Sequence, residues 1–274
     1  MPHATLPAGT IHYRDSGSGR PLVFLHGLLQ DGRVWSDVAG RLADQVRCIV
    51  PDLPLGAHRT AMDPGADLSI TGVADIVADL IEHLDLRDVT LVGNDTGGAV
   101  AQVLAACRPE ALGSLVLTSC EAFDNVPPAV FRALPAAARL GLLPAVLWAL
   151  RFRAPRSMPT GYGWLTSGPL PHDLIDDWIA AYYSDPGIRR DARRFVMSLG
   201  DRRLLTRLAE PLAAFRKPAL ILWAGDDRLF PVEHATLLGN LLHDARVEIV
   251  EDARTWVMLD QPDHTTAAIR GFLD

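Results

Sequence analysis

The chemistry of this chain concentrates at one turn. Val92-Gly93-Asn94-Asp95-Thr96-Gly97-Gly98 lies where an apolar run ends and an amphipathic segment begins. A residue at the tip of a strand–turn–helix is held in a strained backbone, and glycines two before and two after it let strand and helix approach closely. This is the pattern of a nucleophile elbow, with Asp95 at its tip. A plain turn with a capping Asp shares the local pattern. Phe24-Leu25-His26-Gly27-Leu28 follows an earlier apolar run and is placed to bring the Leu28 N–H beside the elbow. With the Thr96 N–H it forms a pair of donors suited to developing negative charge. His26 reads as a brace for this loop.

The elements that carry these residues follow from periodicity. Pro21–Leu25, Arg47–Leu53, Val89–Gly93, Leu115–Cys120, Ala219–Ala224 and Val247–Val250 are short Val/Ile/Leu-rich runs. Such runs suit strands covered on both faces. Val73, Ile76, Val77, Leu80, Ile81 and Leu84 recur at helical spacing. Gly97–Cys107 and Glu233–Leu242 read the same way, and Pro262 opens a last helix. Alternation of this kind predicts an α/β fold with a mostly parallel sheet.

The alternation breaks between Glu121 and Arg216. This segment is proline-rich and helical in pattern, and it contains Trp148, Tyr162, Trp164, Trp178, Tyr182 and Tyr183. It is expected to be a helical cap (residues 121–216) on a core of residues 1–120 and 217–274. Its aromatics are candidates for holding substrate.

Composition narrows the partners. The 274 residues include 26 Lys plus Arg and 33 Asp plus Glu, for a net charge of −7. With 49% hydrophobic residues the chain is too apolar for disorder. A nucleic-acid binder would need a basic patch against the overall field. Three cysteines without a C-x-x-C pair fit a reducing compartment, and the chain start carries no secretory pattern, so a cytoplasmic location is expected. Leu134–Phe152 is the most apolar stretch outside the strands, but Arg139, Pro144 and Arg151 interrupt it. It reads as packed helices and not as a membrane span. The expected partner is a small molecule, with neither nucleic acid nor membrane, for a monomer or homodimer. No metal or cofactor is called for.

A third motif completes the pattern. Leu222-Trp223-Ala224-Gly225-Asp226-Asp227-Arg228-Leu229-Phe230-Pro231 ends a strand in an acidic pair. With the His-Gly loop, the elbow, the cap and the C-terminal strand and helix, the chain resembles the α/β-hydrolase superfamily over nearly its whole length. The resemblance selects Asp227 as the acid. An Asp at the elbow is similar to the haloalkane dehalogenase and epoxide hydrolase branch, in which it forms an alkyl ester.

The chain departs from that pattern in one decisive place. Counting back from Gln261-Pro262 puts Thr255, followed by Trp256, where the resemblance implies the catalytic His. Thr is no general base near neutral pH. His264 is near in sequence but lies in the final helix, and His58 and Arg59 follow the second apolar run as possible substitutes. Thr96 and Leu28 also stand where dehalogenases commonly place halide-holding Trp and Asn, and Leu29 replaces a proline common in epoxide hydrolases.

Three readings follow. Asp95 is an acid/base or nucleophile in a His-less site acting on a small, largely apolar molecule, with elimination, isomerisation or cyclisation among the reactions open to it. Alternatively, Asp95 forms an ester and recruits a base from elsewhere. The third is a non-catalytic binder on a hydrolase fold.

Overall fold

The computed structural model describes residues Met1–Asp274. Its strands are β1 (His3–Leu6), β2 (Gly9–Ser16), β3 (Pro21–Leu25), β4 (Arg47–Pro51), β5 (Val89–Asp95), β6 (Leu112–Cys120), β7 (Ala219–Ala224) and β8 (Ala245–Val250). They form one sheet in the order β1-β2-β4-β3-β5-β6-β7-β8. β1 and β2 join antiparallel, and every pair from β4 to β8 is parallel. The six apolar runs are β3 to β8, so the α/β architecture is as the periodicity implies.

The N-terminal hairpin, β1–β2, does not show as an apolar run. Only alternate residues such as Ile11 and Tyr13 are buried, because this hairpin lies at the sheet edge. By contrast, every residue of β5 and β6 is buried.

Three helices precede the insertion: α1 (Ser36–Leu42), α2 (Ile70–His83) and α3 (Thr96–Cys107). The Ser69 side chain caps α2 by accepting from the Gly72 N–H at 3.1 Å. α3 starts directly at Asp95, and Gly97 is required there: a Cβ would fall 2.5 Å from the Leu25 carbonyl oxygen of β3.

Between β6 and β7 the chain has helices joined by turns and no strand. It forms α4 (Leu134–Arg139), α5 (Leu143–Trp148), α6 (Arg153–Arg156), α7 (His172–Ser184), α8 (Pro186–Ser198), α9 (Leu204–Arg207) and α10 (Ala209–Ala213). Prolines open α4, α5 and α8, where a missing N–H costs nothing. α4 and α7 pack on α8, whereas α9 and α10 pack on α3. The last part of the 121–216 segment therefore sits against the sheet layer. α11 (Glu233–Leu241), α12 (Val257–Asp260) and α13 (Pro262–Leu273) complete the chain. No helix is long and apolar enough to cross a membrane.

Candidate active site

Asp95 occupies the tip between β5 and α3 with φ 54° and ψ −131°, a conformation unfavourable for any residue with a Cβ. The parallel register sets Asp95 beside Cys120 at the end of β6, so the residue after Cys120, Glu121, comes to the same edge. Gln102 of α3 pins that position by donating to the Glu121 carbonyl at 2.7 Å. Asn94, fully buried, donates to Thr118 Oγ1 at 3.0 Å and to the Thr255 carbonyl at 2.7 Å. The elbow is thereby tied to both neighbouring segments.

The Asp95 carboxylate is buried among donors. Oδ1 accepts from the Thr96 N–H at 2.7 Å, and Oδ2 accepts from Gln30 Nε2 at 3.0 Å. Gly27 makes this possible, since a Cβ there would overlap the carboxylate. Of the two expected backbone donors, the Thr96 N–H is thus engaged by Asp95 itself, while Leu28 lies on the cavity wall. Burial and hydrogen bonding pull the acidity in opposite directions. Burial prevails, and Asp95 is pushed up to about 6 despite the bonds from Thr96 and Gln30.

Glu121 was not among the candidates from sequence, yet it faces the same cavity. Its side chain is buried, and Oε2 has no protein partner. Burial and the neighbouring Asp95 charge hold its carboxyl well above the usual range. The Thr96 hydroxyl lies 3.2 Å from Asp95 Oδ1 and 3.2 Å from Glu121 Oε1. A hydroxyl has one proton and donates to only one of them. The chain closes when protonated Glu121 donates to Thr96 Oγ1 and the Thr96 hydroxyl donates to Asp95.

Asp227 follows β7 with a buried carboxylate, whereas Asp226 is exposed. Asp227 Oδ1 accepts from the Leu229 N–H at 2.8 Å, the Phe230 N–H at 2.9 Å and the Thr255 hydroxyl at 3.0 Å. Burial pushes Asp227 up to about 6 against these bonds. Thr255 is fully buried, so the position expected to carry an imidazole holds a short hydroxyl locked onto the acid.

A cavity of about 390 Å³ opens above Asp95, Thr96 and Glu121. Leu28, Leu29, Leu229 and Phe230 wall it from the sheet side, and Phe131, Leu147, Leu150 and Tyr162 from the helical insertion. No histidine, lysine or arginine lines it.

Several residues singled out from sequence lie elsewhere. His26 Nδ1 donates to the Gly27 carbonyl at 2.8 Å while Nε2 accepts from the Leu53 N–H at 2.8 Å, so both nitrogens brace the loop. His58 is buried against Asp191 of α8 at 3.3 Å, clasping its loop to the insertion. Arg59 pairs with Asp52, and His264 pairs with Glu248 on the surface. Of the aromatics, Tyr162 alone lines the cavity, and its hydroxyl donates to the Leu29 carbonyl at 3.0 Å. Trp178 and Trp256 pack behind Tyr162, and Trp178 and Tyr182 line a small void beside it. Trp164 is half-buried off the wall, and Trp148 is exposed. These rings are large enough to be core, and periodicity does not separate core aromatics from lining ones.

A parallel sheet with an acid at a strained strand–helix tip, beneath a helical insertion, defines an α/β-hydrolase type of protein. Residues 22–269 match the alpha/beta hydrolase family, and the chain belongs to it. An uncharacterized protein of Mycobacterium bovis is 30% identical over 98% of this chain and 81% of its own length. Haloalkane dehalogenase 2 of the same organism is 28% identical, covering 95% of this chain and 90% of that protein. A cis-3-alkyl-4-alkyloxetan-2-one decarboxylase of Shewanella oneidensis is 28% identical over 96% of this chain and 85% of its own. A thermophilic esterase from Thermogutta terrifontis has a similar fold, with TM-score 0.77 and 24% identity over 99% of this chain and 97% of the other. The chain is thus an enzyme of the hydrolase superfamily.

Proposed function

We propose that this enzyme performs proton-transfer chemistry on a small, largely apolar substrate, with Asp95 as base and Glu121 as acid. The observation that carries this reading is the makeup of the cavity wall: two carboxyl groups bridged by one hydroxyl, and no imidazole. Turnover through an Asp95 ester needs a base to activate water, a group typically worth about 10²- to 10⁴-fold. An acid–carboxylate pair does not need one.

The proposed step balances without a co-reactant. Asp95 takes a proton from a substrate carbon or oxygen. Glu121 gives its proton to the atom that receives the displaced electron pair. An isomer results, or an alkene with its protonated leaving group. Asp95 then returns its proton through Thr96 Oγ1 to Glu121, and the pair is reset. The Leu28 N–H supports negative charge on the substrate during transfer. Asp227, bonded to two backbone donors of its own segment and to the Thr255 hydroxyl, positions the loop that carries Leu229 and Phe230.

A relative named for a decarboxylation, the oxetanone decarboxylase, supports a non-hydrolytic reading. A second reading, the covalent ester, draws support from the strained elbow and the dehalogenase relative. The deciding experiment is single turnover in ¹⁸O-water with bromoalkane, epoxide and β-lactone panels, followed by peptide mass spectrometry. The expected result is turnover without label in Asp95, abolished in Asp95→Asn. Label in Asp95 refutes proton transfer and establishes the ester.

A further inference from the structure

The surface around the cavity mouth differs sharply from the rest of this acidic chain. Residues 125–172 contain five arginines and no aspartate or glutamate. Arg156 is buried and held by Asp176 and by the Leu150 carbonyl. Arg132, Arg139, Arg151 and Arg153 are exposed and none makes an ion pair, although Arg151 lies over the Tyr183 ring at 4.6 Å and Arg153 is near Asp176, which Arg156 already holds. Among them stand six of the nine large apolar side chains that the fold leaves exposed. Leu140 is 75% exposed, and Leu142, Trp148, Phe152 and Met158 are each half exposed. Trp148 stacks edge-on against Phe152 at 5.1 Å, so these rings form one patch. Val146 and Met158 are exposed and also line the cavity, which places the mouth within the patch.

A segment of short helices and turns that exposes Trp, Phe and Leu beside arginines has the makeup of one that lies in a bilayer interface. Its length excludes a span. We propose that this face docks on an anionic lipid bilayer, with Trp148 and Phe152 entering the headgroup region and the four exposed arginines meeting lipid phosphates. An apolar substrate dissolved in the bilayer then reaches the cavity past Val146 and Met158 without crossing water. Charge selects the occupant: a second copy of this chain would bring the same arginines against themselves, whereas an anionic leaflet attracts them. The net charge of −7 turns the remaining surface away from that leaflet. Docking is independent of the chemistry assigned to Asp95.

The test is co-sedimentation of the whole protein with vesicles of phosphatidylcholine alone or mixed with phosphatidylglycerol. Binding is expected to the mixed vesicles, to weaken with added salt, and to blue-shift the fluorescence that Trp148→Phe removes. The contribution of one basic side chain at an anionic surface corresponds to about fivefold in partition, so Arg151→Gln with Arg153→Gln is expected to weaken binding about 25-fold. Trp148→Ser with Phe152→Ser is expected to abolish it, while Arg87→Glu on a distant loop leaves it unchanged. These side chains are exposed, and the variants' melting curves check folding. Absence of binding to mixed vesicles overturns the proposal, as does equal loss in Arg87→Glu. A concentration-dependent dimer in ultracentrifugation that the double serine variant dissolves also overturns it, because the face is then covered by a second copy.

Discussion

Replacing Asp95 by Asn is expected to stabilise the protein at neutral pH and to do so less as pH falls. Burial lifts the Asp95 carboxyl from 3.8 to about 6. An acid whose folded pKa is raised binds its proton more tightly in the folded state, so folding loses stability as pH rises from about 4 to about 6. Above that range the loss is complete. About two pH units at 1.36 kcal/mol each make it about 3 kcal/mol. Asn removes the charge and keeps the shape. Its Oδ1 accepts the Thr96 N–H, and its Nδ2 faces Gln30, whose Oε1 has no partner and accepts after an amide flip. For a chain of this length the unfolding entropy is about 0.6 kcal/mol/K, so the gain corresponds to about 5 °C in Tm near pH 8. Differential scanning calorimetry of both proteins at pH 4 and pH 8 measures it. A gain of equal size at both pH values would refute the buried-charge argument, and a Tm below wild type at pH 8 would reverse it.

Three further outcomes follow from the same site. Carboxyl ¹³C titration is expected to show Glu121 still protonated when Asp95 ionises, so Glu121→Gln should abolish turnover yet leave the Asp95 midpoint near about 6; Asp95→Asn should lower the Glu121 midpoint, and a Glu121 that ionises first would contradict the proton bridge. Gly27→Ala places a Cβ against the Asp95 carboxylate and is expected to cost about 1–3 kcal/mol in denaturant melts and most of the activity. Thr255→Val removes the hydroxyl that donates to Asp227, so stability should fall by about 1–2 kcal/mol at pH 8 and by less at pH 4, where Asp227 is already protonated.

The strands β3 to β7 were legible because strands buried on both faces leave continuous apolar runs, and β8 was read from its Val and Ile although it is a partly exposed edge strand. The N-terminal hairpin was not, because an edge pair buries only alternate residues such as Ile11 and Tyr13. Asp95 stood out by its flanking glycines, whose spacing reflects a real steric demand at Gly97. Glu121 carried a weaker signal: an acid directly after a fully buried strand, at the same sheet edge as the elbow, although nothing local said that its side chain turns toward Asp95. His58 illustrates the opposite case. A histidine in a loop near the site reads as a proton carrier, but its fate depended on Asp191, which lies 133 residues further on.

The lack of an imidazole on the cavity wall bears on the electrostatics of the whole site, not one residue. A protonated His between Asp95 and Asp227 would offset their charge. With Thr255 in its place, Asp95, Glu121 and Asp227 are three buried carboxyl groups, and no cationic side chain lines the cavity above them. Each ionisation makes the next harder, as the lowered acidity of Glu121 beside Asp95 records. Such a site resists accumulating negative charge. An ester hydrolysis that passes through an unprotected oxyanion would add charge where the site already has too much. A reaction that removes one proton while supplying another leaves the net charge constant throughout, and in the proposed mechanism the Asp95–Thr96–Glu121 contacts carry the one proton this requires.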